Sequence, residues 1–225
     1  MAPADVRIPM RLLTVDEFER MFDAGILAED DSVELLEGQL SVVSPQGPQH
    51  AAIIQWLATQ LIRAIDPEIA AVRVQLPLRF LPVSEPEPDI AIVSAGGYSH
   101  EHPAEAMLVI EVAATSQQLD LGTKLEVYPT AAVAEYWVID LPARTVHVHR
   151  SPAGAAYGSS RQVTGGSPAT AVERRAGDRG GRAPQAAGLT SAARSFSSQR
   201  RPAGTLASAS TRRPARSCRR GGDHR

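Results

Sequence analysis

Apolar side chains recur along residues 1 to 165 with two alternating periods, and the switches between them predict the elements of the fold. Phe18, Met21 and Phe22 follow Thr14 and Glu17, a spacing that reads as a capping box opening a helix, which Gly25 stops. Ser32 to Glu37 and Gln39 to Val43 are strand-like runs about Gly38, a predicted hairpin, and Ser44-Pro45-Gln46-Gly47-Pro48 has the composition of a loop. Ile53, Ile54, Leu57, Leu61 and Ile65 then share one face of a longer helix that Asp66-Pro67 ends.

Strand patterns dominate the remainder. Ala71 to Phe80 sets Val72, Val74, Leu76 and Leu78 against Arg73, Gln75 and Arg79, which predicts a half-exposed strand. Asp89 to Val93 and Met107 to Val112 are short continuous apolar runs, as in central strands covered on both faces. Asp120 to Ala132 reads as a helix shortened or bent by Pro129, and Glu135 to Asp140 and Thr145 to His149 as two closing strands. Together they predict an α/β (α+β) fold with a mixed central sheet flanked by helices.

Charge divides the chain in two. Residues 1 to 172 carry 10 Lys+Arg against 22 Asp+Glu, a net −12, whereas residues 173 to 225 carry 13 against 3, a net +10. The acidic part is long enough for one domain with a core. After Glu173 the large apolar side chains are Leu189, Phe196 and Leu206, scattered among Arg, Ser, Gly, Ala and Pro, so residues 173 to 225 are expected to form a disordered basic tail. A shifted reading frame beyond about Val163 would produce so abrupt a change. Cys218 is the single cysteine, which excludes an intrachain disulfide framework and fits a reducing compartment. Met1 to Leu13 lacks an apolar secretory core, and Gln55, Gln60 and Arg63 interrupt the longest apolar helix. A cytoplasmic protein with no membrane partner is therefore expected.

The chemistry starts from Glu111. A two-residue period puts Met107, Val109 and Glu111 on one strand face and Leu108, Ile110 and Val112 on the other, so the carboxylate is expected inside. A buried carboxylate is either neutralised or held by a cation; an arginine from elsewhere would serve, and so would a divalent metal. Asp89 opens the neighbouring run after Glu85-Pro86-Glu87-Pro88, as a turn residue or as a second carboxylate at the sheet edge. Two carboxylates at adjacent strand ends suit Mg²⁺ or Mn²⁺, which take oxygen ligands and leave room for water and phosphate, as phosphodiester hydrolysis requires. Lys124 is the one lysine among 23 basic side chains and lies on the helix after the Glu111 strand. There it either stabilises charge on a phosphate or stands solvated beside Asp120, a surface pair contributing at most about 1 kcal/mol. His100 with His102 and His147 with His149 have no partner Cys or second His pair at ligand spacing, so neither is expected to bind zinc.

Taken in order, Thr14-Val15-Asp16-Glu17-Phe18, Val33-Glu34-Leu35-Leu36-Glu37-Gly38, His50, Pro88-Asp89-Ile90, Val109-Ile110-Glu111-Val112, Asp120, Lys124, Tyr128 and Val133-Ala134-Glu135-Tyr136-Trp137-Val138-Ile139-Asp140 carry a resemblance. The series resembles the Uma2 family of restriction-endonuclease-like proteins, within the PD-(D/E)XK nuclease superfamily. The resemblance implies a restriction-endonuclease-like core over residues 1 to 172, with Asp89 and Glu111 as metal ligands and Lys124 as the catalytic lysine, displaced onto the helix. On the same ground Glu34 and His50 are auxiliary site residues. The chain departs from the pattern at Ala113, where the E-X-K spacing would place lysine. It departs again at Ala113-Ala114-Thr115, where the family carries a Leu-Ser-Pro turn, and beyond Val163.

The function so implied is a Mg²⁺- or Mn²⁺-dependent DNA endonuclease. A charge of −12 works against phosphate affinity, so contact with DNA is expected from Arg63, Arg73 and Arg79 with a metal, or from the basic tail. No recognition-helix motif, zinc finger or aromatic series predicts a base preference. The competing expectation is a catalytically inactive nuclease-fold binding or assembly module, to which Ala113, the altered turn and the replaced C-terminus point. A homodimer is compatible with either.

Overall fold

The computed structural model describes residues 10–43 and 46–164. The expected tail from residue 173, with Cys218 in it, and the Ser44-Pro45 step of the predicted loop lie outside the described residues.

The capping box forms as expected at helix α1 (Val15–Asp23). The Thr14 hydroxyl accepts the Glu17 N–H at 3.2 Å, and the Glu17 carboxylate accepts the Thr14 N–H at 3.1 Å, satisfying two otherwise orphaned donors. Strands β1 (Val33–Leu36) and β2 (Gln39–Val42) pair antiparallel. Their two-residue turn takes positive φ at both Glu37 (49°) and Gly38 (76°), the backbone that a tight hairpin needs. Helix α2 (Pro48–Ala64) begins with proline in its first turn, where the missing N–H had no partner to lose, and buries His50, Ile54, Leu57, Ala58 and Leu61.

A six-stranded sheet holds the rest, its strands lying side by side in chain order: β3 (Ala70–Val74), β4 (Ile90–Ser94), β5 (Leu108–Ala113), β6 (Glu135–Asp140), β7 (Thr145–Ala153) and β8 (Ala156–Thr164). Every neighbouring pair is antiparallel except β5 with β6. That parallel step requires a crossover, made by a π-helical turn (Leu119–Thr123) running into helix α3 (Lys124–Thr130). Pro129 falls in the last turn of α3, and the helix ends at Thr130, two residues short of the predicted limit.

Alternation along the central strands divides the core into two layers. Ile90, Ile110, Val112, Trp137 and Ile139 meet Ile54, Leu57 and Leu61 of α2 on one face. Ala91, Val93, Val109, Tyr136 and Val138 meet Leu78, Phe80, Val127 and Tyr128 on the other, below α3. A smaller cluster of Val15, Phe18 and Leu35 ties α1 to the hairpin. The mixed sheet and its covering helices are those expected from the pattern.

Three elements differ. The strand predicted over Ala71 to Phe80 stops at Val74, because Gln75 turns the chain with φ of 51°; Leu78 and Phe80 reach the core from a loop, not from a strand face. Met107, assigned by parity to the buried face, precedes β5 and is 40% exposed. Strand β8 had no signal in the pattern: Gly158, Ser159, Ser160, Arg161 and Gln162 carry no apolar alternation, and pairing with β7 alone draws them into the sheet edge.

Two positions test this packing. A Cβ on Gly38 would stand 2.6 Å from the Leu12 Cβ and 2.9 Å from the Leu13 carbonyl oxygen, so Gly38→Ala should lower stability by on the order of 1–3 kcal/mol in urea unfolding. Glu85 is buried with Oε2 unpaired, and burial, aided by nearby Glu19, pushes its carboxyl up to about 7. A carboxyl raised in the folded state contributes no penalty below its ordinary 4.5 and costs stability as pH rises through about 7. Glu85→Gln should therefore raise the melting temperature at pH 8 and leave it nearly unchanged at pH 5, a difference on the order of 2 kcal/mol.

Candidate active site

The parallel crossover determines where the charges meet. In the β4–β5 register Ile90 faces Ile110, which brings Asp89 beside Glu111, and the Asp89 N–H donates to Glu111 Oε2 at 3.2 Å. Asp89 is held from two sides: its Oδ2 accepts the Val112 N–H at 2.8 Å and lies 3.0 Å from Nε2 of His50. That hydrogen bond to Asp89 raises the His50 pKa from its ordinary value against the opposing effect of burial. His50 thus reaches Asp89 from the first turn of α2.

Helix α3 folds back over the same edge and delivers Lys124. Its ammonium lies 3.0 Å from Glu111 Oε1, 3.1 Å from Glu34 Oε2 and 4.0 Å from Asp120 Oδ1. Tyr128, one turn on, donates its hydroxyl to Glu111 Oε1 at 2.7 Å. Glu34 comes from β1, and its Oε2 also accepts the Glu87 N–H at 3.1 Å, which fastens the hairpin to the segment before β4. Asp120 sits in the π-helical turn, its Oδ2 accepting the Ser116 hydroxyl at 2.5 Å and its backbone oxygen accepting the Tyr136 hydroxyl at 2.9 Å. A widened turn of this kind is frequent at functional sites, and here it precedes Lys124 directly.

Burial decides what these contacts mean. Glu34 is 2% exposed, Asp120 3%, and Glu111 and Lys124 4% each. Burial alone would discharge the lysine, but Glu111, Glu34 and Asp120 outweigh it and hold the ammonium pKa above the ordinary lysine value. Glu111 is pushed up to about 8 by burial, with Lys124 opposing, and Asp120 is raised for the same reasons. The residues line a cavity of about 730 Å³, which Ser41–Val43 after the hairpin turn and Ala114, Thr115, Ser116, Gln118 and Leu119 also line.

All five expected site residues, Asp89, Glu111, Lys124, Glu34 and His50, converge at this cavity. Three expectations change. The solvated Lys124–Asp120 surface pair is absent, because α3 packs its first turn inward and buries both side chains. The cation beside Glu111 is Lys124 in place of an arginine. Arg63, Arg73 and Arg79 do not line the cavity; Arg79 binds Glu19 and Asp16, and Arg73 lies over the Tyr98 ring beside His102. Sequence reasoning missed Asp120, Tyr128 and Glu87 as members of the site. The spacing of Asp120, Lys124 and Tyr128 at successive fourth positions was the available signal, since it places all three on one helix face.

Among the described residues no group of three or more His, Cys, Asp or Glu side chains is arranged to hold a metal ion by itself. The donors that Asp89 and Glu111 offer are carboxylate oxygens beside a cavity with room for water and phosphate. That set fits Mg²⁺ or Mn²⁺, hard ions commonly held by one or two carboxylates with the substrate completing the shell.

Comparison with known proteins follows this geometry. The Uma2 family, described as "Putative restriction endonuclease", matches residues 15–173, more than half of the chain. The chain belongs to the Uma2 family. The match begins at the first residue of α1 and spans every element and every site residue of this Uma2 protein. The fold is similar to the crystal structure of a "putative nuclease belonging to DUF820 from Anabaena variabilis ATCC 29413", with a TM-score of 0.57, 21% sequence identity, and coverage of 80% of this chain and 99% of that one. No curated protein matches. Among the described residues no helix is long and apolar enough to cross a membrane.

The charge cluster predicts its own dependence on Lys124. Lys124→Met leaves the buried carboxylates of Glu111, Glu34 and Asp120 without the cation that stands among them. Since a raised carboxyl is costless at low pH and costly above its folded pKa, thermal melts should show a loss of about 3 kcal/mol or more at pH 8 and a smaller one at pH 5.

Proposed function

We propose that this protein is a Mg²⁺-dependent endonuclease that hydrolyses phosphodiester bonds in DNA. The observation that carries the reading is the convergence of Asp89, Glu111 and Lys124, from two strand ends and a crossover helix, at one cavity with Lys124 held charged at 3.0 Å from Glu111. Family membership supplies the reaction class, and the charge set supplies a means of carrying it out.

Asp89 and Glu111 would hold the ion. When bound there, Mg²⁺ supplies the positive charge that draws electrons from the scissile phosphoryl group and favours ionisation of water. The chain's own residues do the rest. Lys124, fully charged, offers N–H donors toward a phosphate oxygen and opposes the negative charge that builds in the transition state. It is not suited to act as a base, because its carboxylate neighbours raise its pKa and resist loss of the proton. Glu34 pairs with that ammonium directly, Tyr128 holds its other partner Glu111, and His50 and the Val112 N–H orient the Asp89 carboxylate. A site already built in its working arrangement loses little to reorganisation.

The inactive-module reading loses ground on the same facts. Ala113 lacks the lysine of the usual spacing, yet the ammonium arrives at Glu111 from α3 instead. Burying several carboxylates around one lysine is costly, and such clusters concentrate at functional sites.

Plasmid nicking with Mg²⁺ or Mn²⁺ tests the proposal. The wild-type chain should convert supercoiled to open-circular DNA, EDTA should stop it, and Asp89→Ala, Glu111→Ala and Lys124→Ala should each lower the rate by about 10²-fold or more while retaining a folded far-ultraviolet spectrum. Equal rates in the wild type and the Asp89→Ala variant would refute it.

A further inference from the structure

We propose that the site accepts an unpaired polynucleotide strand, held at a nucleotide-sized segment, in preference to B-form duplex. The inference rests on the nuclease reading above and narrows its substrate class.

Depth and size come first. Glu34, Asp120, Glu111 and Lys124 are buried, so a phosphate must descend into the cavity to meet them. The cavity's volume of about 730 Å³ falls in the range of roughly 300–1,000 Å³ that suits small ligands. Duplex recognition works on another scale, burying on the order of 1,000–2,500 Å² of strongly positive protein surface.

Charge points the same way. Each duplex phosphate drawn onto a protein surface requires a cation to replace its counterions. Among the described residues no arginine lines the cavity, Arg79 is committed to Glu19 and Asp16, and residues 1 to 172 carry −12. Among the described residues Lys124 is the one lysine or arginine in the lining, where Glu34, Glu87, Asp89, Glu111 and Asp120 supply the acids. Such a wall can accept one scissile phosphate beside Lys124 and a divalent ion, and among the described residues it offers no further lysine or arginine to a row of phosphates on two strands.

The remaining lining agrees. Ser41, Thr115, Gln118 and Thr123 present uncharged donors and acceptors of the kind that pair with base edges and sugar hydroxyls. Among the described residues the lining holds no Phe, Tyr or Trp, and the ring of His50 is tied to Asp89, so the cavity lacks the series of stacking rings on which proteins track long single strands. The strand is therefore gripped locally. An unpaired nucleotide can bend into the cavity at once, whereas a paired one must first leave its stack.

The test uses the full chain with Mg²⁺ and four substrates: an unstructured single-stranded DNA, the same sequence as RNA, the DNA annealed to its complement, and bis(p-nitrophenyl) phosphate. The expected result is kcat/KM on at least one unpaired strand about tenfold or more above that on the duplex, the DNA and RNA arms showing which sugar is accepted. A kcat/KM on the duplex equal to or above that on both single strands would overturn this inference and leave the nuclease reading intact. Hydrolysis of the small diester with no polynucleotide cut would overturn it in favour of a small phosphodiester substrate. No hydrolysis of any of the four would overturn it together with the nuclease reading.

Discussion

One buried contact organises this molecule, the ammonium of Lys124 set between the carboxylates of Glu111 and Glu34. Both acids are buried, and a cation within hydrogen-bond distance offsets part of what it costs to remove a carboxylate from water. The contact joins three regions far apart in sequence: the hairpin through Glu34, the central sheet through Glu111, and the crossover helix through Lys124. Tyr128 and Asp120 complete it from the same helix face. Fold and candidate site are therefore one electrostatic unit, and the parallel β5–β6 step is what makes it possible. An antiparallel hairpin between those strands would leave no helix to carry a cation back over the end of β5.

The arrangement also separates two tasks that a single carboxylate could not perform together. Glu111 Oε1 takes the lysine and tyrosine, while its Oε2 faces the Asp89 backbone. Asp89 is steadied by the Val112 N–H and His50, with no lysine among its partners. Charge compensation falls mainly to Glu111 and Glu34, and orientation falls to Asp89.

Much of this was legible in the sequence, for reasons that differ by element. The continuous apolar runs before and through Glu111 have the pattern of central strands, and strand parity put the carboxylate inside. Lysine's rarity drew attention to Lys124. The burial of Asp120 was hidden because an acid four residues before a lysine is the usual pattern of a solvated helix face; only the docking of α3 on the sheet reverses it. Gln75 offers no hint of its positive φ, so the strand before it was drawn too long. Strand β8 was invisible because an exposed edge strand need bury little, and its register comes from the β7 backbone it pairs with. Arginines visible in the sequence looked available to a ligand, and the fold spends Arg79 on holding α1.

The order of the site along the chain has a consequence for its assembly. Glu34, Asp89, Glu111 and Asp120 all precede Lys124, so during synthesis every acid of the cluster leaves the ribosome before the charge that balances it. Strands β4 and β5 can pair while their carboxylates are still hydrated, but the sheet edge cannot close over them until the crossover helix has emerged. Because Val127 and Tyr128 of α3 pack against Tyr136 and Val138 of β6, the helix that brings Lys124 to these acids finds its seat only after the strand that follows it has been made.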